Sequence, residues 1–145
     1  SELYVRLCAE HIDVVGDPLG TFSMQHDARF RDATHISMFD NHGASSGVAR
    51  GVEYELDFAQ HKATVVFQFL GLGPSSYEGS FRRYADGQSV IGWGYVPGDR
   101  RIVTEIDRDG REVFDISSGG KESYRAIKVQ TADLDLALLR DRTAK

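Results

Sequence analysis

The sequence predicts an all-β chain, built of propeller-type four-stranded antiparallel units and closed by one short helix. Three observations predict it: short runs that alternate in polarity, 15 glycines against 3 prolines, and segments that return in the same order. The 145 residues suit one domain, and 41% hydrophobic with 27% charged residues suit an ordinary globular core.

Taken in order, Leu3, Val5 and Leu7 alternate with Tyr4, Arg6 and Cys8, which reads as a strand. Cys8 is then a half-buried strand thiol rather than a nucleophile. As the single cysteine it excludes an internal disulfide and a thiolate zinc cluster. Strands follow at His35-Ile36-Ser37-Met38-Phe39 and at Val52-Glu53-Tyr54-Glu55-Leu56. Lys62 to Leu70, rich in β-branched and aromatic residues, and Ser89-Val90-Ile91-Gly92-Trp93 add two more. Arg101 to Ile106 and Arg111 to Ile116 flank Asp107-Arg108-Asp109-Gly110, a strong hairpin signal. That turn opens like a calcium loop, but position twelve is Ser118 and carries no carboxylate. Leu134, Leu136, Leu138 and Leu139 suit a helix over Thr131 to Arg142, capped by Thr131 or Asp133.

The repeat organises these strands. Ile36 to Asn41 returns 53 residues later as Ser89 to Gly94, Glu55-Leu56-Asp57 returns 50 later as Glu105-Ile106-Asp107, and Val66 to Phe69 returns 47 later as Val113 to Ile116. Each copy holds about four strands, near the length of one propeller blade. Repeat 1 covers about 26–71 and repeat 2 about 77–117, joined by the glycine-rich linker Gly71 to Ser76. A C-terminal strand and helix over 121–145 complete one domain that is part of a propeller. A ring of blades takes about four to eight, so two copies call for self-association or for further blades. Two unrelated meanders in a sandwich are the competing architecture.

Charge narrows the function. Against 22 acidic residues stand 17 Lys and Arg, a net −5, which argues against binding nucleic acid or an anionic membrane surface. No apolar run approaches the roughly 18 residues of a membrane span. The opening Ser1 to Arg6 lacks a signal-peptide pattern, and compartment stays open.

Gln25-His26-Asp27-Ala28-Arg29-Phe30, Ile36 to Asn41 and Arg50 to Asp57 resemble consecutive segments of the arylsulfotransferase family. Gly79 to Arg83, Asp86-Gly87, Ile91 to Gly94, Val103 to Asp107 and Tyr124-Arg125-Ala126 extend the resemblance over about 22–130. It implies a six-bladed β-propeller, normally on a chain several times longer, and suggests an exported protein. It also implies sulfuryl transfer from an aryl sulfate to a phenolic acceptor. In that chemistry a funnel histidine accepts the group covalently, without a nucleotide or other cofactor.

The resemblance makes His26 the catalytic candidate, since imidazole is neutral near pH 7 and leaves readily after attack. Arg50, at a position where the family carries Arg, is a candidate sulfate ligand, or a partner of Asp40 or Glu53. Asn41 and His42 are candidates to line the mouth, or ordinary turn residues, and Tyr95 is a candidate wall for a phenolic ring. Asp27 orients His26 or caps the turn, with Arg29 paired to it on the same face. Trp93 shares the face of Ile91 and reads as inter-blade core, with an aromatic wall for a phenolic ring as the competing reading. The histidine spacing indicates no metal site. Ala28, two places after His26 where the catalytic blades carry Asn, supports an alternative: a noncatalytic propeller module that binds a small ligand or a protein.

Overall fold

The computed structural model describes residues 12–20, 22–42, 47–98, 101–119, 122–129 and 131–143. The expected first strand, with Cys8, lies outside these residues.

The described chain is all-β with a single short helix, as expected. Nine strands form two sheets: β1 (Asp13–Val15), β2 (His26–Phe30), β3 (His35–Asp40), β4 (Arg50–Asp57) and β5 (Lys62–Leu70) in the first, and β6 (Ser80–Arg83), β7 (Ser89–Gly92), β8 (Arg101–Ile106) and β9 (Glu112–Ser117) in the second. Both run as antiparallel meanders, β2-β3-β4-β5 and β6-β7-β8-β9. The segments that matched in sequence occupy the same places in the two meanders: second strand, third strand and fourth strand. β1 was not expected. It adds in parallel to the outer edge of β5, with Val14 opposite Ala63, and covers a side of the sheet that would otherwise present unpaired backbone.

Aspartates close the hairpins. Asp32 and Asp57 each accept two backbone N–H bonds in the first sheet's turns, and Asp107 accepts two in the β8–β9 turn. Asp86 accepts the Gln88 N–H in the β6–β7 turn. Gly110 takes φ +82 and ends the three-residue turn that Asp-Gly announced, a conformation an L side chain adopts only with strain.

Two cores result. On one face of the first sheet, Ile36, Met38, Val52, Tyr54, Leu56 and Ala63 are covered by Ile12, Val14 and Phe22 from the segment before β2. On its other face, Phe39, Ala49, Phe67 and Phe69 pack against Phe81, Ile91, Trp93 and Ile106 of the second sheet. Phe81 stacks on Phe67, with centroids 6.0 Å apart and planes at 1°. Gly51 makes the approach possible, since a Cβ there would lie 2.5 Å from the Phe81 ring. Trp93 is fully buried and donates Nε1–H to Thr104 Oγ1 at 2.7 Å.

The C-terminal helix forms one turn later than expected. A 3-10 turn takes Thr131–Asp133, and helix α1 spans Leu136–Thr143. Asp135 caps it, accepting the Leu138 N–H at 2.9 Å, because neither Thr131 nor Asp133 stands immediately before the helical dihedrals begin. Among the described residues no helix is long and apolar enough to cross a membrane.

Removal of Phe81 tests the seam. Phe81→Ala empties a fully buried volume between the sheets, and the expected loss is about 3–5 kcal/mol by urea denaturation, while Val113→Ala on the exposed β9 changes little.

Candidate functional site

The expected site residues gather at one end of the two sheets, where β2 and β6 begin and β3 and β7 end. β3 delivers Asp40 opposite Arg50 of β4, and His26 opposite Phe39 across the β2–β3 ladder. Backbone strain concentrates there. Of five described non-glycine residues in the left-handed region, Met24, Asp27, His42 and Glu78 stand at this end, and His61 sits in the β4–β5 turn at the other. Left-handed non-glycine residues cost free energy and persist where surrounding structure holds them.

Arg50 is fully buried, and all five of its N–H donors have acceptors. Nε reaches Asp40 Oδ2 at 3.0 Å. Nη1 donates to Asp17 Oδ1 at 2.7 Å and Gln68 Oε1 at 2.9 Å, while Nη2 donates to Asp17 Oδ2 at 2.7 Å and the Tyr54 hydroxyl at 3.2 Å. Of the two partners weighed from sequence, Asp40 is taken and Glu53 is not. Tyr54 O–H donates in turn to Asp17 Oδ2 at 2.7 Å. The closed network gives Arg50 a bracing geometry that leaves no donor over for sulfate.

Burial raises the Asp17 carboxyl, but the bonds from Arg50, Tyr54 and the Leu19 N–H outweigh it and hold the group below its ordinary value. Burial and the bond to Asp17 push the Tyr54 phenol up.

Asn41 is fully buried and ties β3 to the loop before β6, its Nδ2 donating to the Glu78 carbonyl at 2.8 Å. Its Oδ1 is buried without a hydrogen bond among the described residues. His42 packs its ring on Gly47, and its N–H donates to Asp40 Oδ1 at 2.9 Å. His42 and Arg50 thus converge on Asp40, while Asn41, His26 and Tyr95 stand outside that network. Tyr95, exposed after β7, lies parallel to Tyr77 with centroids 5.3 Å apart. Tyr77 O–H donates to Glu122 Oε2 at 2.9 Å, which raises its phenol.

His26 is exposed at the first position of β2. The next residue breaks the strand's alternation: Asp27 has φ +54, and the ladder slips by one residue between His26 and Arg29. This bulge turns the Asp27 carboxylate inward, where it is 2% exposed and faces three guanidiniums. Arg29 Nε donates to Oδ1 at 3.0 Å, Arg82 Nε lies 2.9 Å from Oδ2, and Arg125 Nη2 lies 3.9 Å from Oδ1. Asp27 therefore answers to the arginines rather than capping the turn.

Beside it Glu53, also buried, pairs with Arg31 Nε and Arg83 Nε at 2.7 Å each, and Arg83 lies over the Phe67 ring at 3.8 Å. Sequence reasoning missed Asp17, Arg82 and Tyr77, and it weighed Glu53 only as a partner of Arg50. One signal was present for Arg82, which stands 53 residues after Arg29, the spacing of the repeat. Among the described residues, no three His, Cys, Asp or Glu side chains are placed to hold a metal ion.

The bracket around Arg50 yields a pH prediction. A carboxylate held below its ordinary 3.8 contributes stability above that pH and loses it as pH falls through the lower folded value. Asp17→Asn is expected to cost about 3 kcal/mol at pH 7, and its deficit against the parent to shrink below pH 3.8, by urea denaturation at both.

No curated protein and no solved structure matches the chain. The family model described as Arylsulfotransferase (ASST) matches residues 13–119, which takes in every strand of both sheets, and the chain belongs to the arylsulfotransferase family.

Proposed function

We propose that this chain transfers a sulfuryl group from an aryl sulfate to a phenol, with His26 as the covalent carrier. The observation that carries the reading is the position of His26: inside the family match, exposed, and next in sequence to an aspartate surrounded by three arginines. A neutral imidazole nitrogen attacks sulfur, the N–S bond forms as the S–O bond to the aryl group breaks, and the electron pair leaves on the phenolate. The acceptor's phenolic oxygen then attacks the same sulfur, the N–S bond breaks, and the acceptor gives up its proton as the first phenol regains one. Cationic donors are needed for the sulfate oxygens, whose charge must be held in the transition state. Tyr95, with Tyr77, offers an exposed aromatic face for either phenol.

The two meanders act as successive propeller blades in this reading. Phe114 and Ile116 of β9 stand where Phe67 and Phe69 stand in β5, by the spacing of 47. Phe67 and Phe69 pack against the second sheet, whereas Phe114 and Ile116 are 52% and 43% exposed. A second copy of the chain covers them, since the equivalent face is already covered once within the chain.

Two measurements test these readings. After exposure to 4-nitrophenyl sulfate, intact-mass analysis should find one added sulfuryl group that His26→Ala abolishes, and an adduct surviving in the variant would refute the assignment. Native mass spectrometry at micromolar concentration should show a discrete oligomer that Phe114→Asp dissociates, and a monomeric parent would refute the self-association.

A further inference from the structure

Beyond the Ser80–Gly92 pair, the segments flanking β6 and β7 stay together. Ser76 donates its N–H to the Tyr95 carbonyl at 2.8 Å, and Tyr95 donates its own to the Tyr77 carbonyl at 3.3 Å. Tyr77 and Tyr95 thus stand opposite each other, where side chains of paired segments meet. Gly94, at φ +63, keeps the approach close, since a Cβ there would lie 2.4 Å from the Tyr77 carbonyl oxygen. The two rings are parallel within 7°, their centroids are 5.3 Å apart, and they are 43% and 41% exposed. The Tyr77 hydroxyl already donates to a carboxylate, Glu122 Oε2, at 2.9 Å.

No other described tyrosine combines these features. Tyr54 also donates to a carboxylate, Asp17, but it is buried and its ring neighbour is Phe22. The Tyr84 hydroxyl accepts the Lys128 N–H at 2.6 Å. The Arg125 guanidinium lies 5.7 Å from the Tyr124 ring centre, where its charge opposes loss of an electron.

We infer that Tyr77 and Tyr95 are a site of oxidative modification, at which a one-electron oxidant of the haem-peroxidase class joins the two rings as dityrosine. One oxidising equivalent takes an electron from Tyr77 as its phenolic proton passes to Glu122, which returns it to solvent. A second takes an electron from Tyr95, whose proton goes to water. The two phenoxyl radicals couple through ortho carbons, one C–C bond forms, and the ortho protons move to the oxygens to restore both rings. The pair loses two hydrogen atoms, and one hydrogen peroxide is reduced to two waters. The new bond ties the segment before β6 to the segment after β7. The inference requires no transfer chemistry and stands whether or not His26 carries a sulfuryl group.

Exposure of the full chain to a haem peroxidase and hydrogen peroxide tests it. The expected products are a monomer lighter by two hydrogens, dityrosine fluorescence, and a proteolytic fragment that joins Tyr77 to Tyr95. Tyr77→Phe and Tyr95→Phe each remove one exposed oxygen and keep the ring, and each should abolish the cross-link in the monomer. Tyr124→Phe should leave it intact. Glu122→Gln keeps a hydrogen-bond acceptor but a far weaker base, and it should slow the rise of fluorescence about tenfold or more. An unchanged rate in that variant would overturn the route of the proton. A monomer that loses no hydrogens, a bond mapped to other tyrosines, or dityrosine confined to covalent dimers would overturn the site.

Discussion

The two sheets depend on Phe81 lying flat against the first sheet in the space left by Gly51. A residue with a Cβ at position 51 would stand inside the ring's contact distance, and the stacked pair Phe67–Phe81 would separate. That separation would undo more than an aromatic contact. Phe81 is followed on β6 by Arg82 and Arg83, and its seat determines that they reach the buried carboxylates Asp27 and Glu53. Packing and charge are therefore coupled: apolar burial sets the distance between the sheets, and the ion pairs read that distance.

The acidic side chains serve in three balances. Asp17 and Asp40 close on Arg50, so every donor there is consumed and the network braces the end of β3 and β4. Glu53 holds two arginines in the seam. Asp27 faces three at the seam. Fully satisfied buried networks rigidify the structure around them.

Family membership and exposed apolar surface address different questions. The match over 13–119 covers both meanders and concerns descent. The half-exposed Phe114 and Ile116 concern packing: the second sheet keeps the apolar pattern of a strand covered on its outer face, as β5 is covered in the first. A face with that composition loses free energy in water at roughly 25 cal/mol per Å² of apolar area, which is what a covering surface recovers.

Residue patterns were enough for the all-β class, the strands at Lys62 to Leu70 and Arg101 to Ile106, the Asp-Gly hairpin and the burial of Trp93. These are legible because polarity alternation and turn chemistry act over a few residues. The family was legible as well, through motifs whose order and spacing survive in one chain. Contacts between distant segments account for the rest. Asp17 reaches Arg50 across 33 positions, and β1 joins β5 in parallel, pairings that no local pattern encodes. Asp27 stands next to His26 in sequence and faces the second sheet, because one inserted residue in β2 breaks the strand's alternation there.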